Sequence, residues 1–148
     1  MIETLPAVTE LLPLAGSAIL VDEILAETAN GVIAGAHISS AHPFFSREHA
    51  GVPSWVGIEL MAQTIGLHAG LMARRESRPP RVGYLLGTRH YAPAVPCFAN
   101  GAVLEIRAEQ LYQDASGLGA YNCTIASAGE VLVCATVSVF QTEGEVSR

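Results

Sequence analysis

The stretch PSWVGIELMAQTIGLHAGLMARR, residues 53–75, decides the fold. Its apolar residues mark no single face: Val56, Ile58, Leu60, Met61, Ile65, Leu67, Leu71 and Met72 cover nearly every direction of a helix. A helix apolar all round is buried on all sides. Pro53 precedes it and Ser54 suits an N-cap, so the pattern predicts a helix over 54–75. Glycine inside a helix costs roughly 0.5–1 kcal/mol relative to alanine. Gly57, Gly66 and Gly70 are therefore expected where another backbone comes close. A membrane span of this length would place Glu59, Gln63 and His68 in hydrocarbon, which argues against one.

Working outward, the flanks read as strands. Upstream, Leu5 to Leu14, bounded by Pro6 and Pro13, holds at most a short helix. Ala18 to Thr28 and Val32 to Ser39 form a hairpin about the Asn30-Gly31 turn signal. Residues 41–52 have no period and read as a loop, yet carry His42, Phe44, Phe45 and His49. Downstream of Pro79-Pro80 come strands over Val82 to Tyr91, Ala102 to Tyr112, Leu118 to Ser127 and Glu130 to Gln141. The last two close around Ala128-Gly129, and a two-residue turn there sets Cys123 opposite Cys134. The order predicts a single α+β domain over 1–148, an antiparallel sheet wrapped around one long buried central helix.

Composition narrows the function. The net charge of −6 and pI near 5.2 exclude the basic footprint of a nucleic-acid binder. Charged residues make up only 15% of the chain, which points to surface hidden in an oligomer. All the positive charges are arginine, and Arg74, Arg75, Arg78, Arg81 and Arg89 cluster together. They suit either a helix C-terminus or the landing patch of an acidic partner. No signal peptide is visible, so a cytoplasmic location is expected. Three irregularly spaced cysteines read as free thiols. The histidines lack metal-site spacing, so no metal and no cofactor are expected.

Glu59 is the first candidate for chemistry, a carboxylate near the start of a helix otherwise almost uncharged. Burial raises a carboxyl pKa, while the helix N-terminus stabilises the anion. Gln63, one turn on, lines the same face and could hold the carboxyl or a substrate hydroxyl. His42 opens the loop that leads into this helix and is the candidate base. His49 and His68 are its rivals.

These residues carry a resemblance. Val52-Pro53-Ser54-Trp55 through Glu59-Leu60-Met61-Ala62-Gln63 resembles the helix-start motif of 3-hydroxyacyl acyl-carrier-protein dehydratases, with the same spacing of proline, acid and glutamine. His42-Pro43-Phe44-Phe45 resembles that family's histidine loop, and Tyr84-Leu85-Leu86-Gly87-Thr88-Arg89 its glycine-containing strand. Leu12-Pro13, Leu20-Val21-Asp22, Pro96 and Asn100-Gly101 extend the likeness over nearly the whole chain. It is closest in flavour to the dehydratase-like proteins of aryl-polyene pathways. The chain departs from the pattern in a longer stretch between His42 and Pro53, in Ser54 for the motif glycine, and in Leu14 for a histidine.

The resemblance implies a hotdog fold. It implies dehydration of (3R)-3-hydroxyacyl thioesters on acyl-carrier protein, a lyase activity of fatty-acid or polyene biosynthesis. His42 would remove the C2 proton and Glu59 would protonate the departing hydroxyl, with the two residues drawn from different subunits of a homodimer or heterodimer. Backbone N–H groups near Ser54 and Trp55 would stabilise the thioester oxygen. Gln63, Phe44, Phe45 and Tyr84 would complete the substrate site, and the arginine cluster would meet the acidic carrier. Two alternatives stand beside it: a non-catalytic partner subunit of a heterodimeric dehydratase, motivated by the longer loop, and a hotdog acyl thioesterase.

Overall fold

The computed structural model describes residues 5–12, 14, 16–78 and 83–141. In chain order it runs α1 (Val8–Leu11), β1 (Glu23–Thr28), β2 (Gly31–His37), β3 (Gly51–Pro53), α2 (Gly57–Arg75), β4 (Gly83–Pro93), β5 (Cys97–Ala99), β6 (Val103–Gln113), β7 (Leu118–Ser127) and β8 (Glu130–Gln141). Strand alternation builds one antiparallel sheet of six strands, ordered β1-β2-β6-β7-β8-β4. Ala34, Ile106, Ile125 and Val133 lie abreast across four of these strands, with Val32, Ala108, Cys123 and Ala135 in the next row. Every one of these side chains is buried. The central helix α2 packs on this face, mainly over β2, β6 and β7, and fully buries Leu60, Met61 and Leu67. Each such side chain contributes about 1.5–3 kcal/mol of hydrophobic stabilisation. The architecture is the hotdog fold, a sheet wrapped on one long helix.

Several expectations need correction. The helix is not covered on all sides. Trp55, Glu59 and Met72 are exposed, and Ile58, Ala62, Gly66 and Ala69 between them are half-covered. Together they form one open stripe at helical spacing. Ser54 does not cap the helix with its side chain; residues Ser54–Val56 form a 3-10 turn ahead of α2. Of the interior glycines, Gly70 does meet backbone: a Cβ there would lie 3.1 Å from the Leu11 carbonyl oxygen. Gly57 instead makes room for a side chain, since its Cβ would fall 2.2 Å from the Tyr91 hydroxyl.

The first hairpin turns at Ala29-Asn30, with Thr28 paired to Gly31. Gly31 serves the next strand over: a Cβ there would strike the Ala108 carbonyl oxygen at 1.8 Å. Residues 18–22 precede β1 rather than belonging to it. The supposed loop 41–52 ends in β3, which pairs with β5 in a separate two-stranded sheet. In the last hairpin the register slips at Ile125/Ala126, so Cys123 faces Ala135 and Cys134 faces Thr124. The two-residue turn is present, with positive φ at Ala128 and Gly129, but one extra residue bulges beyond it and offsets the cysteines.

His68 is buried beneath the sheet and its Nδ1 lies 2.7 Å from the Tyr121 hydroxyl. Burial lowers the His68 pKa from 6.5, partly offset by Glu27 and Glu109, while Arg75 lowers it further. Burial also raises the Tyr121 pKa, so the phenol stays protonated. A histidine with a depressed folded pKa supports stability above its unfolded value and loses that support as the pH falls. Urea titrations at pH 7.5 and 5.5 should therefore show a lower midpoint at the acid pH. His68→Phe should flatten that difference.

Candidate active site

Glu59 stands on the open stripe, in the first turn of α2. Its carboxylate Oε2 accepts a hydrogen bond from Gln63 Nε2 at 2.9 Å. Gln63 is itself buried and fully engaged. Its Oε1 accepts from the backbone N–H groups of Leu20 (2.8 Å) and Val21 (3.3 Å), and its Nε2 also donates to the Ala18 carbonyl (2.8 Å). Of the two roles open to Gln63, the structure therefore shows the one that holds the carboxyl. Its amide also pins the 18–21 segment against the helix. Beside Glu59 runs a groove of about 250 Å³ between α2 and the β4–β8 edge, lined by Leu12, Leu14, Ala62, Gly66, Ala69 and Leu85 among others. It is apolar along its length and acidic at Glu59.

His42 lies in the tight loop after β2. Its backbone N–H donates to the Ser39 carbonyl, its own carbonyl accepts from Phe45, and its Nδ1 accepts from the Phe44 N–H at 3.0 Å. The opposite ring nitrogen, Nε2, is buried and has no hydrogen-bond partner among the described residues. Desolvation lowers the His42 pKa, with Asp22 partly opposing the shift, so the ring is neutral at neutral pH. No hydrogen bond among the described residues joins His42 to Glu59. His42 is not among the described residues that line the Glu59 groove.

The aromatic residues divide. Phe44 and Trp55 are exposed and meet edge to face at 5.6 Å, with Phe44 also 6.2 Å from the His42 ring. Phe45 packs on the core instead. Tyr84 sits on β4 opposite Phe140; its side chain, like Arg81, lies outside the described residues. The backbone N–H of Ser54 donates to the Pro96 carbonyl at 2.9 Å. It is spent, and is removed from the candidate oxyanion donors.

Tyr91 was missed by sequence reasoning. Its hydroxyl fills the space over Gly57 and donates to the Ser54 carbonyl, fixing the start of α2, and burial pushes its pKa to about 12. The pairing of a helical glycine with a strand tyrosine leaves no signal in spacing.

The rival histidines are otherwise occupied. His49 caps its own loop through Ser46, and His68 belongs to a polar cavity of about 350 Å³ at the far end of α2. The arginine cluster is largely neutralised in place. Arg74 pairs with Glu10 at 3.1 Å, Arg75 with Glu27 and Arg78 with Glu76. Arg89 is exposed on β4. Among the described residues no cluster of metal ligands occurs.

Comparison with known proteins fits this geometry. The family model for the ApeP dehydratase, ApeP-like, matches residues 6–148. The chain belongs to the ApeP-like dehydratase family. Among solved structures, the dehydratase heterocomplex ApeI:P from Xenorhabdus doucetiae is similar at 28% identity and a TM-score of 0.88, covering 95% of this chain and 93% of that one. A hypothetical thioesterase with coenzyme A from Streptococcus pneumoniae shares the fold, at 17% identity and a TM-score of 0.64 over 84% of this chain and 88% of that one. So does Cj0977, a sigma28-regulated virulence protein of Campylobacter jejuni, at 12% identity and a TM-score of 0.70 over 95% and 99%. No curated protein is a significant match to the chain.

Two substitutions test the frame around Glu59. Gln63→Leu strands two buried backbone N–H groups and one carbonyl, and should lower unfolding stability by about 3 kcal/mol in urea. Gly57→Ala drives a methyl into the Tyr91 hydroxyl and should cost about 1–3 kcal/mol, recovered in part by adding Tyr91→Phe.

Proposed function

We propose that this ApeP-like protein dehydrates (3R)-3-hydroxyacyl thioesters, carried on acyl-carrier protein, to trans-2-enoyl thioesters. The observation that carries the reading is Glu59, held by Gln63 at the mouth of an apolar groove. An acyl chain fits such a groove, and the carboxyl stands where the reacting carbons would arrive. His42 and Glu59 form the polar pair of the elimination. His42 is not among the described residues that line the groove, so we assign the pair to sites completed by a second subunit.

Two features support assembly. Among the described residues β4 is an edge strand carrying exposed Leu85 and Leu86, and the open stripe of α2 lies beside it across the groove. A related dehydratase subunit would cover both, as the ApeI:P heterocomplex suggests. The heterocomplex also favours a second reading, in which this chain contributes to activity only beside its partner. We place the reaction in the cytoplasm. The carrier is taken to be acidic, and exposed Arg89 is the first residue we would expect it to meet.

The test follows hydration of a crotonyl thioester by loss of its ultraviolet absorbance. His42→Ala and Glu59→Gln should each lower the rate by about 100-fold or more. A well-folded wild-type chain that is inactive alone and active with a related dehydratase would establish the partner reading. Release of free thiol would turn the assignment to a thioesterase.

A further inference from the structure

Backbone N–H groups fix the tautomer of His42 and the orientation of the Gln63 amide that holds Glu59. Phe44 N–H lies 3.0 Å from His42 Nδ1. A backbone N–H only donates, so Nδ1 is the acceptor and the proton of the neutral ring sits on Nε2. That Nε2 is buried and has no partner among the described residues, and a buried donor calls for an acceptor that arrives from elsewhere. Desolvation keeps the ring neutral.

The same reasoning runs through Gln63. The N–H groups of Leu20 and Val21 claim its oxygen, which turns its NH₂ toward Ala18 and Glu59. Glu59 Oε2 therefore accepts the Gln63 N–H. His42 offers a donor and Glu59 an acceptor. A histidine base acting through Nε2 would need that nitrogen free of its proton.

We propose that His42 acts as a hydrogen-bond donor, from Nε2 to the thioester carbonyl oxygen, and that the carboxylate opposite it moves the proton. The proposal rests on the dehydratase reading. The C2–H bond breaks and its proton passes to a carboxylate oxygen. The electron pair moves toward the thioester carbonyl, whose oxygen gains charge against the Nε2–H. The C2=C3 double bond then forms as the C3–O bond breaks. The same carboxyl returns its proton to the departing hydroxyl, which leaves as water, and the carboxylate is restored. His42 stays neutral throughout; a neutral imidazole serves well as such an electrophile. One group handles both protons, so hydrogen and hydroxyl leave from the same face of the substrate. In a homodimer the carboxylate that meets His42 is the second copy's Glu59. In a heterodimer it is the partner's acid.

Two measurements decide it. In protein labelled with ¹⁵N-histidine, the His42 resonances, assigned by their loss in His42→Ala, should show a pyridine-type Nδ1 and a pyrrole-type Nε2, with and without crotonyl thioester. A pyrrole-type Nδ1 in the thioester complex overturns the proposal. Separately, His42→Gln keeps an N–H donor and has no base, so it should hydrate crotonyl thioester at least about tenfold faster than His42→Ala, with the dehydratase partner present where the chain alone is inactive. Equal losses in both variants would restore histidine as the base. If no dehydration occurs under either condition, the dehydratase reading fails, while the ring nitrogens still report the tautomer.

Discussion

Four hydrogen bonds to one buried amide hold this structure to its purpose. Gln63 stands on the central helix, takes two backbone N–H groups of the 18–21 segment, gives one hydrogen to a carbonyl there, and gives another to Glu59. Its oxygen and nitrogen cannot exchange places without setting donor against donor. The amide thus ties the segment before β1 to the helix and orients the carboxylate in one stroke. Few glutamines so completely satisfied could be replaced without leaving unpaired groups in a dry interior.

The sheet supplies the floor and leaves one side undone. Four strands bury full rows of small and branched side chains under α2, yet the stripe from Trp55 to Met72 stays exposed or only half-covered among the described residues. The stripe, the groove and the β4 edge are contiguous. The low charge content of the chain fits this apolar surface.

The strand pattern was legible because period-2 alternation and turn chemistry are local. β7 and β8 fall where the sequence reading placed them, and the long helix does too. Glu59 with Gln63 was legible because one helical turn separates them. What failed depended on partners distant in sequence. Gly31 looks like half of a turn, and only the Ala108 carbonyl explains it. Tyr91 looks like any strand tyrosine until Gly57 opens a place for it. The small β3–β5 sheet joins residues too short-ranged in pattern to read as strands. Likewise, the spent N–H of Ser54 is a matter of where Pro96 lands.

The slip in the β7–β8 register reaches further than its one residue. It leaves Cys123 inside, its thiol pushed up to about 12 by burial, and Cys134 on the outer surface. The two sulfurs sit on opposite sides of the sheet and cannot meet. Air oxidation therefore has no internal cross-link to make in this hairpin. Alkylating reagents would find Cys134 and pass over Cys123, so with the half-buried Cys97 replaced the outer face of the sheet offers its own attachment point for a fluorophore or spin label.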